Sequence, residues 1–337
     1  MKLQKVLITG GAGYVGAVLV PKLLRKKFHV TVIDWYIYGD VFAAYKNNPD
    51  LIQIKGDIRN PTLVSRVLKN IDVVIHLACI SNDPSFELDP DLGKSVNYDA
   101  TVQLIDLSIR LGVKRFIYAS SSSVYGLKHE FKVTEDLSRQ PLTDYSKYKA
   151  MCEDYLSQKQ SDDFTTLILR PATVCGYSPR LRLDLTVNLL TIQALVNKKI
   201  TVFGGIQKRP NIHIQDVTDL YVQTLSFTTS LIAGKIYNAG YQNYTILEIA
   251  QMIKGVLHDQ TIRIEIEPTA DLRSYHVSSE KITAELGFTP SHTVEEAIAE
   301  LKEHYETGDI PDALTNPRYY NVKTMKAFGK DLLYAQI

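Results

Sequence analysis

Val6-Leu7-Ile8-Thr9-Gly10-Gly11-Ala12-Gly13-Tyr14-Val15-Gly16 is the stretch from which the rest of the chain is read. Four β-favouring residues run into a loop with glycines at 10, 13 and 16, and a helix-compatible segment follows over 15–26. Strand, glycine loop and helix in that order are the setting in which such glycines bind a dinucleotide. Gly10 permits the tight turn, Gly13 lets the backbone approach a pyrophosphate, and Gly16 lets helix and sheet pack closely. The helix start offers unpaired N–H groups and the positive end of its dipole to phosphate. Residues 30–33 read as a second strand ending at Asp34. A carboxylate there accepts both ribose hydroxyls of NAD and repels the 2′-phosphate of NADP. Trp35 and Tyr36 add no neighbouring cation, so NAD is the expected cofactor.

The alternation continues outward. Residues 51–55, 73–78, 114–119 and 165–169 read as strands. Residues 61–69, 100–110 and 145–158 read as helices, the first with Asn60 as cap and Pro61 at its first position. This predicts an α/β chain: a Rossmann-type, doubly wound parallel sheet with helices on both faces. The second half reads as a smaller mixed α/β lobe. It has helices over 185–197, 217–227, 246–256, 278–286 and 294–305, and strands over 201–203, 235–238 and 261–267. The expected division is a nucleotide-binding domain, 1–176, to which 210–238 returns; a substrate lobe, 177–209 and 239–308; and an irregular tail, 309–337.

Composition narrows the classes. A chain of 337 residues with 45% hydrophobic and 22% charged residues can bury a large core, which excludes a disordered or fibrous protein. With 38 Lys+Arg against 37 Asp+Glu there is no global pull toward nucleic acid or an anionic membrane. No apolar run reaches the roughly 18 residues of a membrane span, and the first residues lack signal-peptide features. Cys79, Cys152 and Cys175 are odd in number and widely spaced, and no two histidines stand four apart. Neither a disulfide framework nor a metal site is expected. The expected protein is soluble and cytoplasmic.

Tyr145-Ser146-Lys147-Tyr148-Lys149 falls on a predicted helix, with Tyr145 and Lys149 on one face. A free phenol titrates near pH ~10 and is a poor base at neutrality. A nearby ammonium and a positive nicotinamide ring both favour the phenolate, as proton transfer at an alcohol undergoing hydride transfer requires. The same spacing also suits an ordinary helix contact. Ser120-Ser121-Ser122-Ser123, before Val124-Tyr125-Gly126, ends the fifth strand, where parallel sheets bind ligands. A hydroxyl there can bond a sugar hydroxyl and the Tyr145 oxygen. Asp57, with N–H groups near Ile58, is placed to meet an adenine edge or simply to cap the following turn.

With these motifs in order, the chain resembles the extended short-chain dehydrogenase/reductase family, in its nucleotide-sugar epimerase/dehydratase branch. The resemblance rests on Gly10–Gly16, Gly56-Asp57-Ile58-Arg59, His76-Leu77-Ala78, Ser120–Gly126, Tyr145–Lys149 and Arg170-Pro171, and runs to about Tyr305. It implies Tyr145 as catalytic tyrosine, Lys149 as its partner on the nicotinamide ribose, and Ser121 as the catalytic hydroxyl. For the cofactor it implies Gly10, Gly13, Tyr14, Val15, Gly16, Asp34, Asp57, Ile58, Leu77, Ala78 and Asn97, besides Tyr145 and Lys149. For a nucleoside-diphosphate sugar it implies Ser81, Ser122, Ser123, Cys175, Arg180, Asn188, Arg209 and Arg273, with Arg182 a further candidate. His213 and Asp216 resemble the return segment. A homodimer through the 100–110 and 145–158 helices is also implied.

Departures from the family pattern qualify the reaction. Family 4,6-dehydratases carry Asp then Glu after the catalytic hydroxyl, where this chain has Ser122 and Ser123. Serine is too weak an acid to replace them, so dehydration is disfavoured. Cys175 stands where many relatives have Tyr, and Ser81-Asn82-Asp83-Pro84 departs from the commonest epimerase pattern. The resemblance therefore implies an NAD-dependent epimerase of a nucleoside-diphosphate sugar, acting at C4 through a transient 4-keto intermediate. The alternatives are a net C4 oxidoreductase and, in another class, a nucleotide-sensing regulator without catalysis.

Overall fold

The computed structural model describes residues 3–128, 130, 132–269 and 276–334. Its strands are β1 (Lys5–Thr9), β2 (His29–Asp34), β3 (Leu51–Lys55), β4 (Val73–His76), β5 (Arg115–Ala119) and β6 (Thr165–Pro171). They are followed by β7 (Thr173–Cys175), β8 (Lys199–Phe203), β9 (Lys208–His213), β10 (Lys235–Ala239), β11 (Gln242–Thr245) and β12 (Arg263–Glu267). β1–β6 and β10 form one sheet in the order β10-β6-β5-β4-β1-β2-β3, every neighbouring pair parallel. The direction of winding reverses between β1 and β4. Loops leaving such a switch point diverge to opposite faces and open a crevice at the strands' carboxyl ends.

Side-chain alternation assigns each face. Val6, Ile8, Val73, Ile75 and Ile117 pack to one side, beneath the helices Gly16–Arg25 and Ile214–Thr224. Leu7, Val74, Phe116 and Tyr118 pack to the other, beneath Ala100–Arg110 and Asp144–Ser157. With both faces covered, β4 is buried at every residue. His76 ends it as a polar cross-link: Nδ1 lies 2.6 Å from Thr9 Oγ1 and Nε2 2.8 Å from Thr101 Oγ1. Burial pulls its pKa down to about 3, so the ring is neutral.

Beyond β6 the chain builds two small sheets, β11-β9-β7 and β12-β8. β7, β9 and β11 are absent from the sequence reading. Lys208-Arg209-Pro210-Asn211 is polar and holds a proline, and it becomes a strand only by pairing with β7 and β11. The helix expected over 217–227 is Ile214–Thr224, capped by His213 Nδ1, which accepts from Gln215 N at 3.1 Å. This helix lies along Gly16–Arg25, where Lys22 Nζ reaches Asp219 at 2.6 Å and the Gln215 carbonyl at 2.9 Å. β10 then rejoins the main sheet beside β6.

The tail corrects an expectation. Instead of irregular chain, Asn321–Tyr334 is helical, interrupted at Gly329, whose φ is 65°. Asn321, Thr324 and Met325 are buried together, spaced for one helix face. Met325 and Phe328, three apart, pack on the same apolar cluster, but Gly329 interrupts the helix directly after them, and packing across the molecule stabilises it. No helix among the described residues is long and apolar enough to cross a membrane.

Candidate active site

A cleft of ≈ 380 Å³ opens at the carboxyl ends of the parallel strands, with the glycine loop as one wall. Gly10 has φ +69°, and a Cβ there would lie 2.6 Å from the Ala78 backbone. Only glycine lets the loop pass the end of β4. A Cβ on Gly13 would meet only the Gly10 carbonyl oxygen, at 3.1 Å, so the backbone is bared to the cleft. Gly16 differs from expectation. Its Cβ would strike the Gly11 carbonyl oxygen at 2.2 Å, so it lets the helix close on its own loop; the close contact with the sheet belongs to Gly11, where a Cβ would lie 2.8 Å from Val32 Cγ1. Tyr14 and Val15 also line the cleft. The Tyr14 hydroxyl is committed to the Gly176 carbonyl at 2.7 Å.

Asp34 joins β2 to this loop, accepting from Ala12 N at 2.9 Å and Tyr36 N at 2.8 Å. Burial raises its pKa, opposed by these hydrogen bonds and by the Arg180 charge. The cation missing beside Asp34 in sequence is thus supplied across the fold. Ile58, Trp35, Ile37, Val96 and Met325 make an apolar stretch of the lining, which continues through Leu77, Ala78 and Ser81. Asp57 does not line the cleft. Its oxygens are taken by the Arg59 guanidinium, at 2.6 and 3.0 Å, and by Arg59 N at 2.8 Å, the turn-capping alternative. Asn97 is also withdrawn: its amide accepts from Ile80 N at 2.8 Å and donates to Ile80 O at 3.0 Å, holding the loop after β4.

Ser121, Tyr145 and Lys149 converge on the cleft. Thr143 caps the Asp144–Ser157 helix in a reciprocal box with Ser146, which fixes the first turn and with it Tyr145. Thr143 Oγ1 also donates to Asp83 at 2.6 Å, bringing that carboxylate into the lining. Lys149 Nζ donates to the Ala119 carbonyl at 2.7 Å and lies 6.0 Å from the Tyr145 ring centroid. Burial raises the Tyr145 phenol, Cys79 and Asp83 add to the rise, and Arg182 and the Ser121 hydroxyl oppose it. The phenol therefore stands above its ordinary value, not below it as the spacing to Lys149 suggested. Desolvation outweighs the nearby charge.

Ser122 and Ser123 line the same corner, and the buried Ser123 Oγ has no partner among the described residues. Ser120 instead donates to Glu153, in a buried network in which Arg170 reaches Glu153 at 2.7 Å and the Tyr125 hydroxyl at 2.7 Å. Tyr148 stacks on Phe86 and lies tilted against Tyr98, each ring centroid 5.8 Å away.

The opposite wall carries Arg180 and Arg182. Arg182 pairs with Asp184 through Nε at 2.9 Å and Nη2 at 3.2 Å. Other lobe candidates stay outside the lining. Cys175 is buried with Val187, Ile200 and Ile249, and Thr173 and Val174 face the cleft in its place. The Asn188 amide is consumed by Gly176 N at 3.0 Å, Tyr14 Oη at 3.1 Å and Arg182 O at 3.0 Å. Arg209 lies on β9 opposite Tyr244, and His213 faces Glu300 at 3.4 Å. Arg273 lies outside the described residues. Asp83, Asn321 and Met325 line the cleft outside the expected set, although Asn82-Asp83-Pro84 and, in the tail, Asn316-Pro317 each carry a helix-start signal.

The described residues contain no cluster of His, Cys, Asp or Glu that could hold a metal ion. They do fit a dinucleotide: a bared glycine loop that a Cβ would obstruct, a half-buried acid at the end of β2, and an apolar slot beside it.

A family model described as the NAD dependent epimerase/dehydratase family matches residues 6–240. The chain is 27% identical to a UDP-glucose 4-epimerase of Lactobacillus helveticus, over 88% of this chain and 95% of that one. It is 32% identical to an uncharacterised UDP-glucose epimerase of Bacillus subtilis, over 75% and 82%. Among solved structures, UDP-glucuronic acid 4-epimerase from Bacillus cereus, in complex with UDP-glucuronic acid and NAD, superposes with a TM-score of 0.79 at 27% identity, covering 90% of this chain and 99% of that one.

Proposed function

The chain belongs to the NAD-dependent epimerase/dehydratase family, and from that premise we propose that it inverts C4 of a nucleoside-diphosphate sugar. The observation that carries the reading is the meeting of Ser121, Tyr145 and Lys149 with the glycine loop in one cleft. Gly10–Gly16, Asp34, Ile58, Leu77 and Ala78 would hold the dinucleotide. When bound, NAD supplies the hydride acceptor for C4 and a positive ring that favours a phenolate. Tyr145 Oη takes the proton of the C4 hydroxyl and returns it after the 4-keto sugar has turned within the site. Lys149, anchored on the Ala119 carbonyl, keeps an ammonium beside the Tyr145 ring and stabilises its negative state. Ser121 orients the hydroxyl, and the unpartnered Ser123 Oγ offers a further hydrogen bond to the sugar. Ser122 and Ser123 provide neither acid nor base for loss of water, so the product keeps its C6 oxygen.

UDP-glucose and UDP-glucuronic acid, the ligands of relatives, head the panel of sugar nucleotides that tests this. The expected outcome is interconversion of C4 epimers with no stoichiometric reduced cofactor. Accumulation of reduced cofactor in step with substrate would replace the proposal with a net oxidoreductase.

We further propose a homodimer through the Ala100–Arg110 and Asp144–Ser157 helices, where Ile109 stays exposed on the first. Sedimentation at micromolar concentration should give twice the chain mass; a monomer mass overturns it. Three free cysteines suit a reducing compartment, and we place the protein in the cytoplasm. Recovery of the native chain from an exported fraction would contradict that placement.

A further inference from the structure

The segment from Pro317 onward crosses the cleft and ties together three loops that are far apart in sequence. Arg318 Nε donates to the Tyr38 carbonyl beyond β2 at 2.9 Å. Leu183 N donates to the Tyr319 carbonyl at 2.8 Å. Asn321 Nδ2 donates to Ser81 Oγ at 2.8 Å and to Ser81 O at 3.2 Å, in the loop after β4. Its Oδ1 accepts from Arg180 Nη2. One turn on, Met325 joins the apolar cluster of Ile58 and Val96, against which Trp35 and Ile37 pack. Two of these loops leave β2 and β4 at the switch-point end of the main sheet and the third follows β7, so the segment bridges the crevice and does not simply lie on its rim.

Arg180 shows what this arrangement is for. Its guanidinium carbon sits 3.6 Å above the Tyr38 ring, Nη1 donates to Leu181 O at 3.1 Å, and Nη2 is held by Asn321. Nε is buried without an acceptor among the described residues, although the side chain lines the cleft. Among the described residues this buried guanidinium, which lines the cleft, is bonded to a carbonyl and an amide and stacked on a phenol ring but pairs with no carboxylate, and such a charge is costly unless an anion in the cleft offsets it. Tyr38 lies in the loop that follows Asp34 at the end of β2, which places the guanidinium stacked on it at the dinucleotide half of the cleft.

We infer that the C-terminal segment is a clasp on the dinucleotide: Asn321 holds Arg180 toward the cofactor's diphosphate, and Met325 closes the apolar slot beside Asp34. Asn321 is a positioning residue; Arg180 makes the contact. The inference rests on the reading of the cleft as an NAD site. It gives that site a function the reaction needs. An epimerase must keep its reduced cofactor through the turning of the sugar, and a wall that must unlatch before the dinucleotide leaves slows its loss.

Full-length wild type, Asn321→Ala, Asn321→Asp, Met325→Ala and, as a solvent-facing control on the same helix, Lys326→Ala are loaded with NAD and freed of excess. Release is chased with ADP-ribose, and bound NAD is assayed after denaturation. Asn321→Ala and Met325→Ala should release NAD on the order of tenfold faster, the scale of one lost charge-assisted hydrogen bond or one emptied apolar contact. Asn321→Asp, which keeps the acceptor for Arg180 but loses both donor bonds to Ser81, should fall between wild type and Asn321→Ala, and Lys326→Ala should stay near wild type. Release at the wild-type rate from Asn321→Ala overturns the clasp, and so does equal loss from Asn321→Ala and Asn321→Asp. Hydrogen exchange on the wild type gives an answer that needs no variant: amides over 317–328 should slow when NAD binds, and unchanged exchange overturns the clasp. If wild type retains no NAD at all, the cofactor reading itself falls.

Discussion

The cleft has two walls of different origin. One is built by the ends of β1, β2, β4 and β5 with the start of the Asp144–Ser157 helix, and its working groups sit in short continuous motifs. The other is built by residues 173–185 and the C-terminal helix, and its contacts span long separations: Asn321 meets Ser81 across 240 positions and Arg180 across 141. On the first wall a residue's environment follows from its local element. On the second, environment depends on which distant segment arrives. The sugar-lobe candidates illustrate the difference. Cys175 and Asn188 turn inward to the lobe's own packing, while Arg180, one loop away, is held at the cleft by the tail.

The largest expected effect tests the first wall. Tyr145→Phe keeps the ring and removes the oxygen, so kcat should fall roughly a hundredfold to ten-thousandfold with KM little changed. Near-normal turnover would empty this wall of its chemistry. Asp34→Ala comes next. It removes an acceptor for the ribose and also unties Ala12 and Tyr36, so NAD affinity should drop about ten- to a hundredfold in calorimetry, with discrimination against NADP eroded. Tighter binding of NADP than of NAD by wild type would show that Arg180, and not Asp34, sets cofactor choice.

Asn188→Ala sharpens the contrast from the other side. Its amide bridges Gly176, Tyr14 and Arg182, so the loss should appear as about 1–3 kcal/mol of stability, several degrees in melting temperature, with little change in KM for the sugar nucleotide. A large KM effect without destabilisation would return Asn188 to the substrate.

At neutral pH the smallest expected effect concerns the sheet beneath both walls. His76 is neutral in the fold with a pKa of about 3, whereas an unfolded histidine titrates near pH ~6.5. The unfolded chain therefore binds the extra proton first. The contribution is complete above about pH 6.5 and is lost as pH falls from there toward about 3. Melting temperature should decline over that window, and His76→Gln should flatten the decline. An unchanged slope would show that other groups carry the acid response.

Sequence alone determined the parts whose physics is local. A glycine loop between strand and helix, an acid ending the next strand, a tyrosine and lysine four apart on one helix, and the alternation of elements were enough for the parallel sheet and for Tyr145 and Lys149 at its carboxyl ends, while family resemblance picked Ser121 from the four serines there. Helix and strand periods and the steric freedom of glycine act within a few residues, so they are legible in order. Tertiary structure alone decided the rest. It paired the polar segments of β9 and β11 with each other and with the three-residue β7, and turned Asp57 onto Arg59. It set the direction of the Tyr145 phenol by burial, supplied Asp34 with a distant cation, and folded an apparently irregular tail over the cleft. Burial, hydrogen-bond partners and long-range charge are properties of a surrounding that no stretch of chain carries with it, and they come into being only when segments hundreds of residues apart meet.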